Sequence, residues 1–364
     1  MKFPFAFKLI SAALLAVFSI RSSADDSSIH GVTVGPPVPV SDNNGDSWTP
    51  AWTRNGSLYS PSDDTKGFGG AGSGNIAFSR ISGQPDKLTG KTVNYMPDYG
   101  AASQKGADGC TWKSSGCLAL DGALYWVIAR HMYGAQQAAH NSSIIKSLDS
   151  GKTWTRAEKE NYDHPMFPGS GFATPFFVNY GQEGKEAVAD QSDRYVYAVS
   201  NNGFWDNGDS MVLGRVLRSK IANLSGADWQ YFTHGDGSQD GSWSSNVSDA
   251  KPVLAIPNHL GMTGATYLPA QQCYLMIGWY YPAGGGKKAP DACQKTNWDF
   301  YVASHPWGPW HRVGSHTWFP QGYYSPAVCP KFTSPDGSAL RIFTAGNWNN
   351  SDAYRLTVIP LTIK

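Results

Sequence analysis

Short apolar and aromatic runs recur along the chain at long, similar intervals. Such a run stands at Leu58-Tyr59, Leu124-Tyr125-Trp126, Val196-Tyr197, Leu275-Met276 and Leu340-Arg341-Ile342, with starts 66, 72, 79 and 65 residues apart. Most are followed by a second run that closes on serine: Ile76–Ser79, Ile144–Ser147, Val216–Ser219 and Tyr301–Ser304. Three of these lead on to a tryptophan, Trp154, Trp229 or Trp310, and Leu356–Ile359 forms a terminal run. The runs have strand length, turn residues bound them, and no long 3.6-residue periodicity competes. A fixed period of this size predicts an all-β, five-bladed β-propeller, whose radial closure protects its sheet edges. A β-sandwich would not generate this spacing.

The sharpest local signal is Ser147-Leu148-Asp149-Ser150-Gly151-Lys152-Thr153-Trp154, which fits S-x-D-x-G-x-T-W, the Asp-box of sialidase-like propellers. Its physics is that of a hairpin turn. The Asp accepts backbone hydrogen bonds, Gly takes the left-handed position and Trp packs beneath. Asp149 is therefore read as structural.

The N-terminus reads as an export leader: Lys2 and Lys8, an apolar run from Leu9 to Ile20, then small residues to Ala24. The run is too short to span a bilayer. The expected organisation is a signal peptide over 1–24 and one propeller domain over 25–364, secreted to the extracellular space. Two disulfides are expected, Cys110 with Cys117 and Cys273 with Cys293, leaving Cys329 as a buried thiol. Sequons at Asn55, Asn141, Asn223, Asn246 and Asn349 are expected to carry glycan. The formal net charge of +1 offers no polycationic surface for nucleic acid or anionic lipid. The expected partner is an oligo- or polysaccharide, with no membrane or nucleic acid, and a monomer is expected. No metal ligand set or cofactor motif stands out. A structural calcium ion on the axis is compatible with the fold but not indicated, and Gly67–Gly74 lacks the features of a phosphate loop.

In a propeller, the loops that follow the recurring strands converge on a central mouth. There the chain offers Asp63-Asp64, Arg130-His131 with Tyr133, Trp205-Asp206 with Asp209, Trp279-Tyr280-Tyr281 and Trp348. Rings with acids suit sugars, through C–H stacking and hydroxyl hydrogen bonds. Glutamate occurs only four times against 24 aspartates, so carboxylate chemistry falls to Asp. Neighbouring strand residues point to opposite faces, so one of Asp63 and Asp64 is expected to enter the mouth. A glycosidase needs a second carboxyl roughly 5–9.5 Å away, for which Asp46, Asp206 and Asp209 are the candidates. A different chemistry, β-elimination on a uronate, would use His131 or Tyr133 as base and Arg130 and Arg215 as cations. A non-catalytic sugar-binding mouth is the third reading. His164, His259, His305 and His316 read as structural.

The stretch Trp48-Thr49-Pro50-Ala51-Trp52, then Leu58–Thr65, then Gly74-Asn75-Ile76-Ala77-Phe78 resembles the N-terminal motif of a family of secreted fungal and bacterial proteins. That domain-of-unknown-function family also includes mycobacterial endo-D-arabinanases. The resemblance implies a five-bladed propeller and glycoside hydrolysis by two aspartates. Asp46 falls where the family's first acid stands, Asp64 at its G-D-T acid and Asn75 at its S-N asparagine. Ser47-Trp48 and Ser62-Asp63 depart from that pattern. Asp64 and Asp46 are the expected catalytic pair. Asp63, Asn75, Arg130, His131, Tyr133, Trp205, Asp206, Trp279, Tyr280 and Trp348 are the expected substrate contacts.

Overall fold

The structure, a computed structural model, describes residues 29–132, 137–156, 158–186, 194–235, 241–283 and 295–364. The expected leader, Tyr133 and Cys293 lie outside them. Strands β1 (Val32–Val34) and β2 (Val38–Pro39) belong to the last blade. Blade 1 holds β3 (Asn43–Asp46), β4 (Ala51–Trp52), β5 (Leu58–Phe68), β6 (Gly74–Gln84) and β7 (Lys87–Asn94). Blade 2 holds β8 (Thr111–Leu120), β9 (Ala123–Met132) and β10 (Ala138–Ser147). Blade 3 holds β11 (Phe176–Phe177), β12 (Tyr195–Asn201), β13 (Ser210–Leu217), β14 (Trp229–His234), β15 (Ser242–Ser244) and β16 (Pro252–Ala255). Blade 4 holds β17 (Ala265–Leu268), β18 (Cys273–Tyr280), β19 (Thr296–Ala303) and β20 (His311–Trp318). Blade 5 holds β21 (Ala327–Val328), β22 (Ala339–Ala345) and β23 (Leu356–Ile363). The chain is a five-bladed β-propeller.

The recurring runs of the sequence are β5, β9, β12, β18 and β22, each the second strand of its blade rather than the innermost. The innermost strands of blades 3 and 5 have only two residues each, too short to leave a hydrophobic pattern. The ring closes where β1 pairs with β23, Val32 opposite Ile363, and β2 pairs with the same strand, Val38 opposite Val358. Among the described residues no helix is long and apolar enough to cross a membrane.

The Asp-box folds as its sequence dictates. Asp149 accepts from the Thr153 amide (2.9 Å) and hydroxyl (2.6 Å), Gly151 has φ +86°, and the Trp154 indole donates to the Gly151 carbonyl (3.1 Å). A side chain at Gly151 would strike the Phe78 ring, on which Trp154 also packs edge-on at 4.9 Å. The turn thus pins blade 2 to blade 1.

The expected Cys110–Cys117 disulfide is absent; both are buried thiols. Cys110 precedes β8 and Cys117 lies far along it, paired with Trp126, so the extended backbone holds the two sulfurs out of bonding range. Cys329 is a buried thiol as expected. Of the sequon asparagines, Asn55, Asn223, Asn246 and Asn349 are exposed and Asn141 is half-buried.

Candidate active site

A pocket of about 410 Å³ opens on the axis, and every blade lines it. Blade 1 supplies Asp46 and Asp64, blade 2 Lys113, His131 and Gln137, blade 3 Trp205 and Asp206. Trp279 and Tyr281 come from blade 4, and Tyr324, Trp348 and Tyr354 from blade 5.

The two blade 1 acids are aimed by irregular backbone. The β3–β5 register slips between Asn44, opposite Gly67, and Asp46, opposite Asp63. Gly45 sits at this bulge with φ +124°, where an added Cβ would lie 2.6 Å from the Thr65 hydroxyl. A bulge of this kind turns the following side chain away from the pleat, here Asp46 towards the axis. Asp64 itself has φ +40°, a left-handed conformation uncommon outside glycine but tolerated by Asp. Asp63 and Asp64 diverge as strand geometry requires. Asp64 enters the pocket, while both carboxyl oxygens of Asp63 accept the Ser114 amide of blade 2 at 3.0 Å. Asp63 is thus an inter-blade brace rather than a pocket residue.

The two pocket acids stand in different surroundings. Asp64 forms an ion pair with Lys113, whose side chain is only 4% exposed, and accepts the Ser103 amide at 3.2 Å. Asp46 is half-buried in the pocket wall, with Tyr324 donating its hydroxyl to Oδ2 at 2.6 Å and Ser47 to Oδ1 at 3.2 Å. Burial raises the Asp46 carboxyl above the ordinary carboxylate range. The neighbouring Asp64 charge adds to this, while Lys113, Tyr324 and Tyr354 hold it back. His131 packs on Trp205, ring centroids 4.8 Å apart. Its burial, with Lys113 nearby, depresses it to about 3, so it is neutral at physiological pH.

Asp64, Asp46, His131, Trp205, Asp206, Trp279 and Trp348, all singled out in the sequence, therefore meet in one pocket. Three other expected contacts do not line it. Arg130 faces away from His131, its neighbour on β9, and donates Nε to Asp108 Oδ2 (3.0 Å) and Nη2 to the Cys110 carbonyl (3.0 Å), with its guanidinium over Trp112. Asn75 is buried beside the blade, donating to the carbonyls of Tyr99 (2.9 Å) and Gln104 (2.8 Å). Tyr280 points outward to pack on His259 at 4.0 Å, and Tyr281 takes the place expected of it. Lys113, Gln137, Tyr324 and Tyr354 were not singled out, and Tyr281 was offered at the mouth but not among the expected substrate contacts. Lys113 had a signal, as the one charged residue in β8; the two blade 5 tyrosines had none.

Among the described residues, one group of His, Cys and acidic side chains brings ligand atoms within 4.8 Å of one another: Asp108, Cys110 and His140. It lies off the pocket, and Arg130 already engages both oxygens of Asp108.

A sequence comparison with curated proteins gives no match. Among solved structures, the chain is similar to "a putative hydrolase from Bacteroides ovatus ATCC 8483", with TM-score 0.53 and 13% identity over 89% of this chain and 86% of that one. Lower-scoring neighbours include a GH43_1 enzyme from Xanthomonas citri complexed with xylotriose (TM-score 0.47, 12% identity, 90% of each chain). Another is a xylan β-1,4-xylosidase from Bacillus halodurans C-125 (TM-score 0.44, 12% identity, 88% of this chain), of which this chain spans 54%. At these identities the likeness is one of fold. A family profile matches residues 40–359, and the chain belongs to that family, the domain of unknown function DUF4185.

Proposed function

We propose that the protein is a glycoside hydrolase acting outside the cell on neutral, pentose-rich polysaccharide, with Asp46 and Asp64 as its carboxyl pair. The observation that carries this reading is the contrast between two acids on adjacent strands of one blade. Asp64 lies against an ammonium group, whereas Asp46, half-buried with Tyr324 donating to it, has its proton affinity raised. Pairs of carboxyls whose surroundings push them apart divide into an acid and a charged partner. Asp46 is the general acid that protonates the leaving glycosidic oxygen. Asp64 is the ionised carboxylate that activates water or attacks the anomeric carbon. Trp205, Trp279 and Trp348 supply faces for the sugar, and Asp206 a hydrogen-bond acceptor for hydroxyls.

The lyase alternative is weakened by the same geometry. A uronate needs cationic partners, yet Arg130 is committed to Asp108, and Lys113 to Asp64. Besides the protonated Asp46, two pocket acids stand against one lysine, which disfavours an anionic sugar.

The test is hydrolysis of a panel containing arabinan, arabinoxylan, xylan and inulin, read as new reducing ends. Asp64→Asn and Asp46→Asn are each expected to lower turnover by about 10²–10⁴-fold while retaining the far-UV and near-UV signatures of the fold. Full activity in Asp64→Asn would overturn the proposal. An ultraviolet-absorbing unsaturated product would favour the lyase instead.

A further inference from the structure

Among the described residues, five large apolar side chains are distinctly exposed. Three of them, Met132, Phe319 and Trp348, stand on the face onto which the pocket opens. Trp348 lines the mouth, and Met132 directly follows the pocket residue His131 at the end of β9. Phe319 directly follows β20, whose last residue, Trp318, pairs with Thr296. That is the end of blade 4 from which β18 delivers Trp279 and Tyr281 to the pocket.

From Phe319 the chain runs inward as a spoke. β20 is the outermost strand of blade 4, and at the inner end Tyr324 donates to Asp46. Phe319 does not line the pocket, and the five residue steps between it and Tyr324 span at most about 18 Å, so the ring is within reach of a chain that continues from the pocket. The spoke is fastened along its length. The Gly322 amide donates to Thr296 Oγ1 (3.1 Å), and the Tyr323 carbonyl accepts the Trp298 indole (2.6 Å). The Tyr324 carbonyl accepts the Thr344 hydroxyl (2.6 Å). Trp318 packs on Tyr323 at 4.3 Å, giving Phe319 a firm base. The Phe319 side chain is nevertheless 65% exposed. An exposed ring on a fastened backbone, at the same end of the propeller as a sugar-sized pocket, is placed to serve as a stacking platform.

We propose that Phe319 is an outer subsite that stacks on a distal residue of the same neutral polysaccharide chain whose reacting residue occupies the pocket. The protein's ligand is then a polymer rather than a mono- or disaccharide. This rests on the hydrolase reading for the pocket but is separable from it in the test. Binding is measured by affinity electrophoresis in gels containing arabinan, arabinoxylan, xylan or inulin, in the Asp64→Asn background so that nothing is consumed. Adding Phe319→Ala is expected to weaken retardation by the bound polymer about tenfold, and Phe319→Tyr to restore it. In the active protein, Phe319→Ala should lower the ratio of polymer turnover to turnover of a short aryl glycoside by the same factor.

Retardation and a turnover ratio equal to those of the parent would overturn the subsite, as would equal losses on polymer and aryl glycoside. Phe319-dependent binding of a polymer that is never cleaved would uphold the subsite and sink the hydrolase reading. Cleavage that ignores Phe319 would do the reverse. A protein that neither binds nor cleaves any of the four loses both.

Discussion

Tyr324→Phe removes one oxygen from the protein and leaves the ring packed against Trp279, centroids 5.8 Å apart. What it deletes is the 2.6 Å hydrogen bond to Asp46 Oδ2. A bond between neutral partners contributes about 1 kcal/mol, and one to a charged group about 1.5–3 kcal/mol. The cost of the substitution therefore depends on whether Asp46 carries its proton. Lys113, Asp64, Ser47 and Tyr354 face the same carboxyl and stay in place. The expected increment on ionisation is about 1.4 kcal/mol, the difference between those two contributions. The sign follows from linkage. Asp46 is raised in the folded state, so between its unfolded and folded values the native protein holds the extra proton and stability falls as pH rises. Removing a donor to the charged form extends that window upwards. Urea unfolding at one pH below and one above the Asp46 titration checks it: the deficit of the variant should be larger by about 1.4 kcal/mol at the higher pH. If Asp46 is the general acid, the alkaline limb of kcat/KM should move up by about one unit. A deficit equal at both pH values would refute the charge-assisted bond to Asp46.

Lys113→Met strands the Asp64 carboxylate in the pocket. Removing one partner of a buried ion pair costs about 3–5 kcal/mol, and the lower end applies because Asp64 is 24% exposed; thermal unfolding should show it. Asp149→Ala should lower stability by about 1–2 kcal/mol at neutral pH, through the lost Thr153 and Ser147 bonds, without changing turnover. Although burial works against it, those bonds hold the Asp149 carboxyl down at about 2. Its contribution is therefore complete above about pH 4 and fades as the pH falls towards 2, a loss that acid titration of the parent and variant separates.

The architecture was legible because it is written in local chemistry repeated five times: a strand run, a serine-terminated partner, a turn. The Asp-box was legible for the same reason, since all its bonds lie within eight residues. Asp64 and the pocket tryptophans could be found because acids and rings after recurring strands must converge when the ring closes, whereas Asp46, upstream of its strand, was reached as the second carboxyl the chemistry needs and through the family resemblance. What failed was parity. Arg130 and His131 are adjacent, as are Tyr280 and Tyr281, and in each pair only one faces the axis. The choice is set by register with neighbouring strands, a property no single run contains. The disulfide failed likewise, because closeness in sequence is distance in an extended strand. Tyr324 and Tyr354 could not be found at all, since their significance depends on a partner 278 residues away in the case of Tyr324.

That last failure exposes the logic of the site. The bonds that close the ring and those that condition the acid occur at one seam. The Gly45 amide donates to the Tyr354 carbonyl (3.2 Å), Asn44 donates to the same oxygen, and the Leu356 amide donates to Asn43 Oδ1 (2.8 Å). Between them the Tyr354 hydroxyl reaches the Asp63 carbonyl (3.3 Å) and Tyr324 reaches Asp46. Tyr324 therefore reaches Asp46 only when blade 5 has docked on blade 1, the step of highest sequence separation and so of largest closure entropy. A propeller with an open seam would keep the Asp64–Lys113 pair, held by blades 1 and 2, but Asp46 would lack its bond from Tyr324. Ring closure, beyond gathering the site, completes the difference in surroundings between two like residues.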